Sequence, residues 1–124
     1  MSLNQRKVLV TSAAGAQGRA IVGALLRAGA TPRVLLRERS TNPFGEGVEI
    51  AWGDLGERGS LTRAGIGIDA MALTLPQLHD RQTLVRYGRN AIDAAAAAGV
   101  PHIVFNANGS VSATLRSLFP PVPS

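Results

Sequence analysis

The sequence contains no cysteine, a single lysine and few aromatic residues: three Phe, one Trp and one Tyr among 124 residues. The absence of cysteine excludes a disulfide framework and a thiolate metal site. With so few aromatic residues, the core must consist of Val, Leu, Ile and Ala, which suits parallel strands that are buried on both faces. The longest apolar run, Ala94–Val100, is far shorter than the roughly 20 residues that span a bilayer. The sequence therefore predicts one small, soluble domain without a membrane partner.

The charge of the chain comes mainly from arginine. Thirteen basic residues, all Arg except Lys7, outnumber eight acidic residues and give a net charge of +5. Such an excess attracts phosphate groups, but it also fits ordinary solvated surfaces that use Arg in place of Lys. The basic residues form no block and do not alternate with aromatic residues, so a nucleic acid partner is not favoured. The polar segment Met1–Lys7 is not typical of a signal peptide, and we expect a cytoplasmic protein.

Strand-like and helix-like segments alternate along the chain. Short apolar runs predict five strands, at Lys7–Thr11, Arg33–Leu36, Val48–Trp52, Ala70–Leu75 and Ile103–Phe105. Apolar spacing of three to four residues predicts helices at Gln17–Ala28, at Leu61–Ala64 with Ser60 as its cap, and at Arg81–Ala98, with Gly29 and Gly99 ending the first and last. This order predicts an α/β fold with a Rossmann-like doubly wound parallel sheet of about five strands, truncated at its C-terminal side. The incomplete domain is expected to cover residues 1–110, and residues 111–124 are expected to form an irregular Pro-rich tail.

The turn between the first strand and the first helix is the best candidate for a binding site. It reads Thr-Ser-Ala-Ala-Gly-Ala-Gln-Gly. Gly15 would let a pyrophosphate approach the backbone at the positive end of the helix, and Gly18 would let the helix pack on the strand. Ser12 stands where a first glycine is usual, and the alternative is a plain turn that needs glycine only for packing. We expect a dinucleotide site that includes Thr11, Ser12, Gly15, Ala16, Gln17 and Gly18.

The end of the second strand bears on the choice of cofactor. Sites that select NAD usually carry an acidic residue there, which accepts hydrogen bonds from the ribose 2′-hydroxyl. This sequence has Arg37, whose guanidinium can bind the 2′-phosphate of NADP in a forked, charge-assisted contact. The neighbouring Glu38 argues the other way if its side chain faces the ribose, and both charged groups could simply be solvated. The pattern favours NADP and leaves NAD open.

Two further groups of residues lie at strand ends that face the same cleft: Asp54 and Leu55 follow the third strand, and Thr74, Leu75 and Pro76 close the fourth. Ligands of open α/β sheets bind outside the carboxyl ends of the strands. The carboxylate of Asp54 could accept a hydrogen bond from the adenine amino group, and Thr74 would lie beside the nicotinamide ribose. Each residue could instead be a cap or turn residue. No His/Asp/Glu cluster has the spacing of metal ligands, so no metal site is predicted.

Five segments, in the same order along the chain, resemble the NmrA-like family of atypical short-chain dehydrogenases/reductases: Lys7–Gly18, Val34–Arg37, Gly53–Leu55, Gly88–Ala95 and Ala98–Asn106. The resemblance implies a Rossmann fold with NAD(P) bound over Gly15 and Gly18. It also implies Arg37 near the 2′-phosphate and Asp54 near adenine. The resemblance implies that a complete member is roughly twice as long as this chain. The chain is therefore identified as the N-terminal half only.

The resemblance supports two functions. The first is the NADP(H)-binding domain of an oxidoreductase of the quinone- or small-carbonyl-reductase type, inactive as this short chain because the catalytic residues lie beyond it. In this chain Tyr87 has no Lys four residues later, and Lys7 lies on the first strand. The second is a non-catalytic NAD(P) redox sensor that binds a regulatory partner protein. A half-domain would also expose a strand edge, so a homo-oligomer is a further expectation.

Overall fold

The computed structural model describes residues 6–37 and 41–105. Within these residues the chain forms five strands and three helices: β1 (Lys7–Val10), α1 (Ala16–Arg27), β2 (Thr31–Leu36), β3 (Glu49–Trp52), α2 (Arg58–Ala64), β4 (Ala70–Leu73), α3 (Arg81–Ala98) and β5 (Ile103–Phe105). All neighbouring strands pair in parallel, in the order β3-β2-β1-β4-β5. The order reverses beside β1, which is where ligands bind in sheets of this kind. The predicted Rossmann-like parallel sheet is thus confirmed.

Helices cover both faces of the sheet. Because successive side chains of a strand point to opposite faces, β1 contributes to two cores. Val10 packs with Ile21 of α1 on one face, and Leu9 packs with Leu61 of α2 and Met71 on the other. All five of these side chains are fully buried. Burial of each contributes roughly 1.5–3 kcal/mol, so the two cores hold the carboxyl ends of the strands in fixed relative positions.

Glycine and aspartate set the ends of the helices. Gly29 and Gly99 follow α1 and α3 with φ angles of +86° and +76°, in the left-handed region that only glycine adopts without a steric penalty. At the other end of α3, the carboxylate of Asp80 accepts a hydrogen bond from Thr83 Oγ1 at 2.6 Å. The predicted bounds of α3 and the two predicted glycine stops are confirmed.

The predicted role of Ser60 as a helix cap is wrong. Helix α2 begins at Arg58 with Glu57 at the N-cap, so Ser60 lies inside the first turn. Its hydroxyl donates to Glu57 O at 2.7 Å and accepts from Asp54 N at 3.0 Å. Serine therefore does satisfy backbone groups near the start of this helix, but its bonds fasten the turn that precedes the helix.

The predicted ends of two strands are also wrong. Strand β2 begins at Thr31 and includes Pro32, which pairs with Val8 of β1. Pairing with β3 starts only at Arg33. Because Pro32 lies outside that pairing, its missing N–H group does not cost a hydrogen bond between β2 and β3. Strand β4 ends at Leu73, and the residues after it leave the sheet. The bounds of β1, β3 and α1 differ from the predicted bounds by at most one residue at each end.

Two of the predictions fall outside the described residues. Glu38 is one, and the boundary at residue 110 with the tail 111–124 is the other, so both stay predictions. None of the helices in residues 6–37 and 41–105 combines the length and apolar character needed to cross a bilayer.

Candidate functional site

A cavity of about 1010 Å³ lies at the carboxyl edge of the sheet. Its walls are the turns that follow β1, β2, β3 and β4, together with part of α3 and Phe105. Eleven of the twelve residues predicted to bind a cofactor line it: Ser12, Gly15, Ala16, Gln17, Gly18, Arg37, Asp54, Leu55, Thr74, Leu75 and Pro76. Small-molecule sites usually enclose about 300–1,000 Å³, so the cavity has room for a large ligand.

The N-terminus of α1 forms one wall of this cavity. Gly15 is the N-cap, with extended backbone angles (φ −73°, ψ 169°) and no side chain to cap the helix. The first turn of a helix presents backbone N–H groups without intrahelical acceptors, and it carries a partial positive charge. No acidic residue in the first turn of α1 offsets this charge. The wall is therefore suited to a negatively charged group.

The two glycines of this turn have different roles. A Cβ on Gly18 would lie 2.6 Å from Ala13 Cα, a backbone atom that cannot move aside easily. Gly18 is thus required for the packing of α1 on the turn. Gly15 has an ordinary negative φ, and a Cβ there would meet only Ser12 O, at 3.4 Å. Within the described residues neither the backbone nor packing requires glycine at position 15, so the alternative in which both glycines serve packing applies there to Gly18 alone.

Ser12 adopts the conformation that a first glycine would normally supply. Its φ angle is +50°, in the left-handed region that disfavours residues with a Cβ. Its carbonyl accepts a hydrogen bond from Gly15 N at 3.1 Å, which closes the turn. The geometry of the turn is therefore maintained although serine replaces glycine.

Thr11, the twelfth predicted residue, lies beneath the cavity and does not line it. Its side chain is fully buried. Its Oγ1 donates to Thr74 O at 2.7 Å and accepts from Thr74 N at 2.8 Å. Thr11 thus joins the ends of β1 and β4, and the geometry gives it a supporting role in place of the predicted direct contact with a ligand.

Thr74 carries a buried hydroxyl that has no partner in the part of the chain that the structure describes. The residue is 3 % exposed and lines the cavity. Its Oγ1 has no hydrogen-bond partner within residues 6–37 and 41–105. Buried polar groups are nearly always paired, so this hydroxyl marks a place where the cavity is suited to a polar ligand.

The turn after β3 is held from several directions. Asp54 Oδ1 accepts from Gly56 N at 2.7 Å, and no donor among residues 6–37 and 41–105 is recorded at the second carboxylate oxygen. The amide of Asn90, on α3, donates to Leu55 O at 2.8 Å. Asp54 is therefore a turn residue, as the alternative interpretation held, and it also lines the cavity.

Arg37 follows β2 and lines the cavity with an exposed side chain. No acidic residue in the described part of the chain forms an ion pair with it. Arg37 thus adds a positive charge to the cavity wall at the end of β2.

The lining residues that were not predicted include Gln77, Leu78, His79, Leu84, Tyr87 and Phe105. The first three continue the turn after β4, so the rule that pointed to Thr74 could have been extended to them. Leu84 and Tyr87 are three residues apart and share a face of α3, a spacing that the sequence displays. No local sequence pattern indicates the role of Asn90, because its hydrogen-bond partner is 35 residues away.

The single lysine lies at the opposite edge of the sheet. Lys7 Nζ is 3.1 Å from Glu49 Oε2, and Arg33 Nε is 3.0 Å from Glu49 Oε1. Partial burial raises the pKa of Glu49, but the hydrogen bonds and charges of Lys7 and Arg33 outweigh it and hold the pKa below its ordinary value. Arg33 Nη1 also donates to Ala64 O at 2.8 Å, at the end of α2. This cluster joins β1, β2, β3 and α2 away from the cavity.

Comparison with known proteins identifies the family. The model of the NmrA-like family matches residues 4–124 of the chain. The chain belongs to the NmrA-like family. The resemblance found in the sequence is thereby confirmed.

The NmrA-like chain is similar to reductases of greater length. It is 38 % identical over 99 residues to a (4-alkanoyl-5-oxo-2,5-dihydrofuran-3-yl)methyl phosphate reductase of Streptomyces griseus subsp. griseus, a match that covers 78 % of the chain and 33 % of the reductase. The chain thus spans about a third of the length of this curated relative.

Two solved structures share the fold. Citrobacter sp. triphenylmethane reductase complexed with NADP(H) superposes with a TM-score of 0.69 at 25 % identity, covering 80 % of this chain and 36 % of that one. A short-chain dehydrogenase/reductase superfamily protein from Agrobacterium tumefaciens with bound NAD superposes with a TM-score of 0.63 at 32 % identity, covering 81 % and 32 %. Proteins with this fold therefore include binders of either dinucleotide.

Proposed function

We propose that this chain is the NADP(H)-binding part of an oxidoreductase that reduces a quinone or a small carbonyl compound. The observation that carries the proposal is the glycine at position 15. It lies at the positive end of α1, lines the cavity and is not required by the backbone or by packing. A ligand that approaches the backbone closely, as a pyrophosphate does, accounts for its presence.

The cavity fits a dinucleotide along its whole edge. The turn from Gly15 to Gly18 would hold the pyrophosphate, and the unpartnered hydroxyl of Thr74 would bond a ribose hydroxyl. The free carboxylate oxygen of Asp54 would accept from the amino group of adenine. When bound, the cofactor supplies hydride transfer, and the protein orients it.

The preference for NADP over NAD rests on Arg37. Its guanidinium lines the cavity, without an acidic partner in the described residues. An Arg bonds a phosphate in a charge-assisted, forked contact that a ribose hydroxyl cannot match. NADP is therefore the proposed cofactor, with NAD as the weaker ligand.

The chain is proposed to bind the cofactor without turning it over by itself. Reduction of a carbonyl usually needs a proton donor beside the nicotinamide. Within the described residues no lysine lines the cavity, because Lys7 lies at the opposite edge of the sheet. Substrate binding and proton donation are accordingly assigned to residues outside this part of the protein.

The same observation favours a second candidate, a redox-sensing regulator that binds NAD(P) and a partner protein. A sensor needs the cavity and no proton donor. The two candidates differ in one measurement: addition of NADPH with quinones and small carbonyls to the longest available form of the protein. Loss of the nicotinamide absorbance supports the reductase, and binding without loss across all acceptors supports the sensor.

Calorimetric titration of the chain with NADP⁺ and NAD⁺ tests the binding proposal. We expect tighter binding of NADP⁺, and Arg37→Ala should remove the difference between the two ligands. Arg63→Ala is the matched control, because Arg63 is an exposed arginine on α2 that does not line the cavity. Absence of binding of either dinucleotide would overturn the proposal.

A further inference from the structure

Asn90 occupies a half-buried position in the middle of α3. Asparagine is a poor residue for a helix interior, because its side chain competes for backbone hydrogen bonds. Here the side chain reaches another element: Nδ2 donates to Leu55 O at 2.8 Å, across 35 residues of sequence. Asn90 does not line the cavity, so none of the proposed cofactor contacts uses it.

The bond from Asn90 complements two others on the same turn. Ser60 Oγ accepts from Asp54 N at 3.0 Å, and Gly56 N donates to Asp54 Oδ1 at 2.7 Å. Those two bonds fix the turn to α2 and to itself. Among the bonds of the described residues, the one from Asn90 ties the turn to α3.

Helix α3 contributes Tyr87 to the cavity wall, three residues before Asn90. A Cβ on Gly56 would lie 3.3 Å from Asp54 Oδ1 and 3.5 Å from Tyr87 Cε1. The ring of Tyr87 and the carboxylate of Asp54 therefore flank Gly56 closely. The bond from Asn90 to Leu55 O is one of the contacts that hold α3 against this turn, together with the apolar cluster that contains Leu55 and Ala91.

We infer that Asn90 is a positioning residue that gives the site its preference for a base with an exocyclic amino group. This inference rests on the proposed function. With the turn held against α3, the second carboxylate oxygen of Asp54 accepts from an amino group on a base that lies beside Tyr87. A base with a carbonyl oxygen at that point would place an acceptor against an acceptor, and it would lose the bond.

Two ligands that differ only at this group test the inference: NADP⁺ and its deamino form, in which hypoxanthine replaces adenine. Both are titrated by calorimetry into the complete chain and into Asn90→Ala. A hydrogen bond to a charged group corresponds to about tenfold in affinity, so we expect wild type to prefer NADP⁺ by about that factor. In Asn90→Ala the preference should fall to about twofold or less, mainly through weaker binding of NADP⁺.

Arg58→Ala is the control. It removes the exposed ion pair between Arg58 of α2 and Asp93 of α3, at 3.4 Å, and leaves the bond from Asn90 to the turn in place. The preference for NADP⁺ should be unchanged in this variant. Asn90→Ser, whose hydroxyl is too short to reach Leu55 O, provides the same test if the alanine variant does not fold.

The outcomes separate the inference from the proposed function. Equal weakening of both ligands in the Asn90 variants overturns the inference, because a merely structural role would affect both alike. An unchanged preference overturns it as well. A wild-type chain that binds neither ligand overturns the proposed function and this inference with it.

Discussion

The side chain of Thr11 bonds both backbone polar groups of Thr74, 63 residues away in the sequence. The contact joins the carboxyl ends of β1 and β4 directly below the cavity. It satisfies the amide and carbonyl of Thr74 and leaves the hydroxyl of the same residue without a described partner. The two threonines in contact therefore differ: the hydroxyl of Thr11 is paired, and that of Thr74 has no partner among the described residues.

Thr74→Val should raise the stability of the free chain and weaken the binding of NADP⁺. Valine has nearly the same shape and removes a buried hydroxyl that has no partner, so we expect a gain of up to about 1 kcal/mol in the free energy of unfolding. The lost bond to the ribose should weaken binding by up to about tenfold. Urea unfolding and calorimetric titration measure the two effects.

The neighbouring threonine supplies the contrast. Thr11→Val leaves the amide and carbonyl of Thr74 buried without partners, and it should destabilise the chain by about 2 kcal/mol or more. Thr74→Ser keeps the hydroxyl and should retain binding. A loss of stability in Thr74→Val, or binding equal to that of wild type, would contradict the assigned role.

Alanine at Gly15 and at Gly18 should give opposite results. Gly18→Ala places a methyl group 2.6 Å from Ala13 Cα, and we expect a loss of about 3 kcal/mol or more because the backbone must move. Gly15→Ala should change stability by less than about 1 kcal/mol, because the φ angle suits alanine. It should nevertheless weaken NADP⁺ binding about tenfold or more, since a methyl group would stand in the path of the pyrophosphate.

Thermal unfolding and calorimetry separate these two effects. If Gly15→Ala binds NADP⁺ as well as wild type does, the pyrophosphate does not approach the backbone at this turn. If Gly18→Ala is as stable as wild type, the turn repacks, and the assignment of Gly18 to packing is wrong.

Acid should remove the contribution that the cluster of Glu49, Lys7 and Arg33 makes to the free energy of unfolding. Because the folded-state pKa of Glu49 lies below its ordinary value of 4.5, its stabilising effect is present above that value. The effect is lost as the pH falls through the lower, folded-state pKa. The carboxylate is partly exposed, so we expect less than about 1 kcal/mol.

Urea unfolding of wild type and Glu49→Gln at neutral pH and near pH 3 tests this expectation. The difference between the two proteins should shrink as the pH falls, because protonation removes the charge that distinguishes Glu49 from glutamine. Glu46→Gln, at an exposed position in the loop before β3, serves as the control and should show no such convergence. A constant difference between wild type and Glu49→Gln would contradict the role of the ion pairs.

Local sequence signals were sufficient for most of the fold. Apolar runs located the strands, and glycine at positions 29 and 99 located two helix ends, because both signals act over a few residues. The same holds for the cavity. In a parallel sheet all strands end at one edge, so the residues that follow each strand could be assigned to one site without knowledge of the contacts.

Contacts between distant segments were beyond such reasoning. The burial of Thr11, the bonds of Ser60 and the bond from Asn90 each depend on where another element lies in space. Threonine and serine near a turn are typical of ligand contacts and of caps alike. Only the relative placement of β1, β4 and α3 shows which of these roles each residue has.

Because Thr11 fastens the end of β1 to the residue that follows β4, the turn before α1 and the segment from Thr74 onward share one anchor. A longer segment after Thr74 would reshape the cavity wall around His79 and leave that anchor in place.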